Sequence, residues 1–359
     1  MLQINMVLTM FHFNRAKKLH QQLLTTPATI FSNLIADIQH ARESIDAEFY
    51  IVEPDRTGQL LCDILRRKAR QGLSVRLLVD GFGSRGLPRT LREGMDGAGV
   101  DIRTTSIIGH SRNHRKMTIV DNRIAHIGGI NIADRYAVGN RLGIWHDLQL
   151  RFSGEAVASL RALFDYDFLT AAGIRTVAPS PDSNISPSLH WSECDAGEAM
   201  QQLLHDTIER AQHSLTITTP YFFPPRTTLD LFASAVRRGV SVRVILPERC
   251  DIWAIDHLAR HYLRQAASLG IELLVLRNAF VHAKLALVDD RIAILGSANL
   301  DARSLRINRE IMASTTSCEV CRKASLFIKR LTARCSPPTE AELHSIIPSG
   351  VARLFEAVL

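Results

Sequence analysis

The chain predicts an α/β protein built from two similar units, each a mixed β-sheet flanked by helices, related by a pseudo-twofold. Three observations carry this. The length, 359 residues, suits two domains of about 150 each. Blocks of sequence recur at nearly one displacement. Within each copy, segments of helical period alternate with short apolar runs.

The recurrence is direct. Gly72-Leu73-Ser74-Val75-Arg76 returns as Gly239-Val240-Ser241-Val242-Arg243, and Ala41-Arg42-Glu43-Ser44-Ile45 as Ala211-Gln212-His213-Ser214-Leu215. His114 to Asn131 matches His282 to Asn299 with nine of eighteen positions identical. Three blocks at nearly one offset mean a duplicated unit.

In the first unit, Phe31, Leu34, Ile35 and Ile38 fall on one helical face. The run Ala47 to Val52 reads as a strand. Leu60, Leu61, Ile64 and Leu65 give a second helix stopped near Gly72, and Val75 to Val79 a buried strand. The second unit repeats this with Leu229, Phe232, Ala233 and Val236 as helix and Val242 to Leu246 as strand. The Pro/Ser-rich stretch Ala178 to Pro187 reads as a linker. The expected layout is a lead-in segment over 1–28, units over 29–172 and 193–336, a linker over 173–192, and a helical cap over 337–359.

Composition narrows the class. Hydrophobic residues make up 46% and charged ones 22%, which excludes disordered and fibrous chains. A net charge of +7 favours an anionic partner. Six cysteines are too dilute for a disulfide framework, and Cys318 and Cys321 form a lone CxxC, a weak zinc signal. His257 and His261, four apart, lack a third ligand. No run reaches the length of a membrane span, and the first residues lack the basic region of a secretory signal. Basic runs at Arg66-Arg67-Lys68, Arg237-Arg238 and Arg322-Lys323 are candidates for contact with anionic lipid.

The chemistry lies in the repeated block. It reads His114-Arg115-Lys116, Asp121, Gly128-Gly129-Ile130-Asn131, and again His282-Ala283-Lys284, Asp289, Gly296-Ser297-Ala298-Asn299. On a strand, His and Lys two apart share a face. Hairpins are expected at Asp121-Asn122 and Asp289-Asp290. Pairing the units brings two histidines, two lysines and two asparagines to their interface, a set suited to a phosphodiester. Lysines and asparagines stabilise the oxygens, while one imidazole attacks phosphorus and the other serves as acid and base. Each imidazole needs a carboxylate to set its tautomer. Aligning Arg309-Glu310-Ile311 with His146-Asp147-Leu148, given a five-residue insertion in the first unit, nominates Glu310 and Asp147. A metal is not expected, because protonated lysine supplies the charge a metal would bring.

The pattern HxKxxxxD followed by GGxN or GSxN resembles the phospholipase D superfamily over about residues 29 to 335. Details are most similar to the bacterial cardiolipin synthases: Gly128 to Asp134, Pro220-Tyr221-Phe222, and Gly296 to Ser304 with Asn308 and Glu310. The resemblance implies two phospholipase D-like units and a phosphohistidine intermediate. It makes His114 the nucleophile and His282 the acid/base. Lys116, Lys284, Asn131 and Asn299 match phosphate binders, and Glu310 and Asp147 match histidine-orienting acids. Asp121 and Asp289 complete the catalytic motif as aspartates of structural character. Typical relatives carry two N-terminal spans, so the expectation is a shorter, peripheral form on the cytoplasmic side of the inner membrane, or in the cytoplasm.

The implied activity is phosphatidyl transfer between phosphatidylglycerol molecules, giving cardiolipin and glycerol, with no cofactor. Phospholipid substrates and an anionic membrane surface are the expected partners, and nucleic acid is not. The competing readings are a phospholipase D using water, a nuclease of the same superfamily, and a catalytically inactive anionic-membrane binding protein. Low aromatic content, 6%, and the presence of both motif copies weigh against the nuclease.

Overall fold

In the computed structural model, residues 21–106, 111–181, 185–193 and 198–344 are described. The lead-in expected over 1–28 and the cap over 337–359 lie mostly outside these residues, as do Cys194 and part of the linker.

Two mixed sheets share one plan. Across the first run strands Gln21–Leu24, Gln149–Ser153, Ile124–Gly128, Met117–Val120, Ser44–Phe49, Ser74–Val79 and Val100–Thr104. Across the second run Ser188–Ser192, Glu310–Thr315, Ile292–Gly296, Leu285–Val288, Ser214–Thr218, Ser241–Pro247 and Glu272–Leu276, with Cys335–Ser336 added at the far edge. In both, the last three of these seven are parallel and the others antiparallel.

Local chemistry explains the elements. The helix Pro27–His40 opens with a capping box of Thr26 and Thr29, and Asp55 caps Arg56–Arg70 through the Gly58 N–H at 3.0 Å. Gly72 and Gly239, the helix stops shared by both copies, sit at φ +89° and +87°, a conformation that favours glycine. The hairpins turn at Asp121-Asn122 and Asp289-Asp290, all four with positive φ, as a type I′ turn requires.

The sheets pack as one body. A single apolar cluster joins Met117, Ile119 and Leu150 of the first sheet to Leu285, Leu287 and Ile311 of the second, with Phe164 and Phe327 from flanking helices. Helices on the outer faces close separate clusters in each unit.

Two expected boundaries differ. Ser188–Ser192, taken as linker, is an edge strand paired to Glu310–Ser314, and Leu189 and Trp191 bury in the shared core. Gln21–Leu24, taken as lead-in, pairs with Gln149–Phe152 at the equivalent edge. Both are short segments, only Ser188–Ser192 alternating polar and apolar residues, and each gains its identity from a distant partner. Among the described residues, no helix is long and apolar enough to cross a membrane.

Candidate active site

The residues that carry the motif sit where the two units meet, beyond the carboxyl ends of parallel strands Ser44–Phe49 and Ser214–Thr218. Two short parallel ribbons stitch the units together. In one, Asn113 bridges Arg309, and the His114 N–H donates to Arg309 O at 2.9 Å. In the other, Phe280–Val281 pairs with Trp145–His146, and the His282 N–H donates to His146 O at 2.8 Å. Each ribbon delivers a histidine from one unit and, one residue further along the other strand, a carboxylate from the other unit.

The pairs are therefore exchanged. His114 Nδ1 lies 2.9 and 3.0 Å from the two carboxylate oxygens of Glu310, and His282 Nδ1 lies 2.6 Å from Asp147 Oδ2. Register explains why these two acids correspond. Gly128 pairs with Gln149 and Gly296 with Met312, and the acid lies two residues before the partner in each case. The insertion that shifts Asp147 in sequence falls in the loop over 138–144.

The small residues of the motif make room. A Cβ on Gly129 would lie 2.5 Å from Asp147 Oδ1, so a side chain there would force the carboxylate to shift. Ser297 at the matching place donates its hydroxyl to Glu310 Oε2 at 2.5 Å. Asp147 Oδ1 accepts the Leu148 N–H at 2.8 Å.

His114, His282, Asn131 and Asn299 line a common cavity of about 260 Å³, with Tyr50, Tyr136, Tyr221, Arg112 and Arg303 also in its wall. Lys116 and Lys284 are buried behind the histidines. The Lys116 ammonium donates to His114 O and lies 5.2 Å from the Tyr50 ring centre. Lys284 Nζ lies 2.9 Å from both ring nitrogens of His282. Asn131 accepts the Ile51 N–H at 3.0 Å and donates to the Tyr136 hydroxyl at 2.9 Å, whereas Asn299 Oδ1 is buried without a hydrogen-bond partner.

Burial dominates the electrostatics. It pushes Lys116 down to about 7 and Lys284 to about 8, against the pull of the nearby carboxylates. It also lowers His282 to about 3, with Lys284 adding to the effect. His114 is lowered by burial, which Glu310 opposes. Glu310 and Asp147 stay below the usual carboxylate range, because the adjoining histidines and lysines outweigh their burial.

Asp121 and Asp289, grouped with the catalytic residues by the motif, are not brought to the cavity. Each lies beyond the apolar strand that follows the lysine. Asp121 accepts from the backbone N–H groups of Arg42, Glu43 and Ser44, and Asp289 from those of Gln212, His213 and Ser214. They tie the hairpin to the turn that precedes the parallel strands.

Sequence reasoning missed Arg115. It is fully buried beneath the His114 ribbon and pairs with Asp167 and Glu193. Its counterpart is Ala283, so comparing the copies gave no signal. Tyr50, Tyr136 and Arg303 were also missed, since their neighbours in space come from distant strands. His146 contributes its carbonyl to the ribbon, and its ring lies 3.3 Å from the Arg334 guanidinium. Cys318 and Cys321 stand on the helix Cys318–Thr332, and His257 and His261 on Trp253–Ser268, all outside the cavity wall.

Comparison with known proteins agrees with this architecture. The family model described as "Cardiolipin synthase, PLD-like domain" matches residues 34–165 and again 204–331. The cardiolipin synthase of Geobacillus kaustophilus (strain HTA426) is 32% identical over 312 residues, covering 81% of this chain and 62% of that one. The minor cardiolipin synthase ClsB of Bacillus subtilis (strain 168) is 32% identical over 311 residues, 82% of this chain and 77% of that one. The chain thus spans less than two thirds of the length of the first of these relatives. Among solved structures, the phosphatidylserine synthase of Haemophilus influenzae Rd KW20 superposes with a TM-score of 0.73 at 18% identity, covering 94% of this chain and 92% of that one. A polyphosphate kinase from Porphyromonas gingivalis gives 0.64 at 15% identity, over 94% and 53%. At such identities these two likenesses bear on the fold alone. With the family's domain matched in both halves, the chain belongs to the cardiolipin synthase group of phospholipase D-like proteins.

Proposed function

We propose that the protein is a phosphatidyltransferase that moves a phosphatidyl group between phosphatidylglycerol molecules, giving cardiolipin and glycerol. The observation that carries this is the exchanged pair of histidine–carboxylate couples facing one cavity, with a buried lysine behind each.

With its Nδ1 proton held by Glu310, His114 presents the Nε2 lone pair to the cavity. That nitrogen forms a bond to phosphorus as the P–O bond to the departing glycerol breaks, and His282 Nε2 gives the glycerol oxygen its proton. In the second step His282 takes the proton from a hydroxyl of a second phosphatidylglycerol. That oxygen bonds to phosphorus and the P–N bond breaks. Lys116, Lys284, Asn131 and Asn299 stabilise the non-bridging oxygens.

The low His282 value suits this cycle. In the empty site, burial and two lysines hold the imidazole neutral. A phosphodiester anion between the lysines offsets their charge, so the proton needed by the leaving group is taken up when substrate binds. Asp147 then holds the imidazolium. Water in place of the second lipid would give phosphatidic acid.

The test is product analysis by mass spectrometry after incubation with phosphatidylglycerol vesicles in EDTA. Cardiolipin and glycerol, absent with His114→Ala or His282→Ala, support transfer. Phosphatidic acid alone makes the protein a hydrolase, and no turnover defeats the reading.

A further inference from the structure

The parallel strands Ser74–Val79 and Ser241–Pro247 occupy the same place in the two sheets. Each is followed by a loop, over 80–88 and 248–252, that leads into helices Arg89–Asp96 and Trp253–Ser268. These loops are related by the pseudo-twofold, and each carries an exposed aromatic at its tip or end. Phe82 is 39% exposed and Trp253 71%, with Ile252 beside it at 46%. The other two tryptophans, Trp145 and Trp191, are buried.

Both loops border the cavity. Ile252 and Ile255 form part of its wall. On the other side Arg112, also in the wall, places its guanidinium 4.4 Å from the Phe82 ring centre, and Arg85 stacks on the same ring at 4.6 Å. The cavity wall thus meets an exposed apolar residue at two places, through Ile252 beside Trp253 and through Arg112 on the Phe82 ring. Arg85, Arg112, Arg135, Arg249 and Arg303 are among the cations of this region, with Arg135 paired to Glu53. Of its acids, Asp251 accepts from the Tyr221 hydroxyl at 2.7 Å and Glu248 is paired with Arg277.

We propose that this face, tipped by Phe82 and Trp253, rests on an anionic lipid bilayer so that the cavity opens onto the headgroup layer. The occupant follows from the chemistry of the rim. Aromatic and aliphatic tips enter the boundary between headgroups and chains, and arginines meet the lipid phosphates. A two-chain lipid must bring its phosphate to histidines that are almost covered, while its chains stay outside. The proposal rests on the lipid substrate put forward above. In the basic runs, Lys68 is buried against Ala41 O, Arg238 donates to carbonyls of its own unit, and Lys323 pairs with Glu319.

Trp253 supplies the probe. The full chain is titrated with vesicles of phosphatidylglycerol and phosphatidylcholine, followed by tryptophan emission and co-sedimentation. The expected results are a blue shift, quenching by brominated chains, and loss of both in Trp253→Phe, which still sediments. Phe82→Ser with Trp253→Ser should weaken co-sedimentation about tenfold or more, with an unchanged melting temperature. Arg66→Gln with Arg67→Gln should bind as the parent does. The proposal is overturned if the parent does not bind these vesicles, if brominated lipid leaves Trp253 emission untouched, or if the serine pair sediments as the parent does. A serine pair that only turns a dimer into a monomer would assign the face to a second copy instead. Binding through this face without lipid turnover would leave the docking standing and defeat the transferase reading.

Discussion

The two halves of the site share a backbone plan and differ in environment. His282 is enclosed by the rings of Tyr136, Trp145 and Phe280, with centres 5.2, 5.3 and 6.2 Å away, and Lys284 lies over its nitrogens. His114 meets one ring edge, Tyr50 at 4.9 Å. Asp147 reaches His282 with one oxygen above a glycine, while Glu310 spans His114 with both and takes a serine hydroxyl. Duplication kept the ribbon and the His–x–Lys spacing. The walls have diverged around two imidazoles that burial lowers alike, with Glu310 opposing at His114 and Lys284 adding to the effect at His282.

The largest effects should come from the histidines themselves. His114→Ala and His282→Ala should each lower turnover by about a thousandfold or more. The comparison sharpens in intact-protein mass spectrometry of quenched reactions. A phosphatidyl adduct should accumulate in a variant lacking the acid/base, His282→Ala given a donor with a good leaving group, and not in His114→Ala. An adduct only in the reverse case would exchange the roles. Glu310→Gln and Asp147→Asn should each cost about a hundredfold in kcat, since each leaves the ring near its place but removes the charge that sets its tautomer.

The lysines predict a pH dependence with a definite sign. Anion binding needs the ammonium form, and burial lowers Lys116 to about 7 and Lys284 to about 8 in the empty site. Affinity for a soluble phosphodiester such as glycerophosphoglycerol should therefore fall as pH rises from 7 to 9, by up to about tenfold per unit for each lysine that has lost its proton. Stability runs the other way. Both folded values lie below the unfolded one, so the cost of burying the charge is full below pH 7 and is relieved as pH rises toward 10. Titration calorimetry and thermal melts across that range should show the opposing slopes. A binding affinity flat to pH 9 would place the lysines outside the phosphate site.

Gly129 and Ser297 allow the acids to be perturbed without touching them. Gly129→Ala puts a methyl 2.5 Å from Asp147 Oδ1, and the carboxylate cannot stay on His282. A loss of tenfold or more in kcat is expected, of about the size of Asp147→Asn. Ser297→Gly removes one hydrogen bond from Glu310, and about a fivefold loss is expected. Equal losses would mean that the difference between the two acids has no kinetic consequence.

Much of this was legible because duplication supplied an internal comparison. The helices near Leu34 and Leu61 follow from their own periodicity, while the hairpins at Asp121 and Asp289 and the correspondence of Asp147 with Glu310 follow from reading one copy against the other. What lay hidden depends on contacts between strands far apart in sequence. Ser188–Ser192 becomes a strand only because Glu310–Ser314 accepts it. Arg115 corresponds to Ala283, which gives it no flag, and it owes its place to Asp167 and Glu193. The exchange of acids between units was also out of reach, since either acid could have served the histidine of its own unit.

The smallest effect concerns the aspartates of the motif, where the halves should behave alike. Each carboxylate gathers three consecutive backbone N–H groups, and those bonds hold both pKa values low against partial burial. Asp121→Asn or Asp289→Asn keeps one acceptor oxygen and loses the charge, so a destabilisation of about 1–2 kcal/mol is expected. The contribution is present above the ordinary aspartate value and is lost as pH falls through the lowered one. Chemical denaturation at pH 7 and pH 3 measures it, with variant and parent converging at the lower pH. Turnover at 25 °C should change less than about threefold, because each hairpin remains anchored by its strand pairs. A loss of turnover as large as that of the histidine variants, with stability intact, would return these aspartates to the chemistry and break the division of roles between the two ends of the strand.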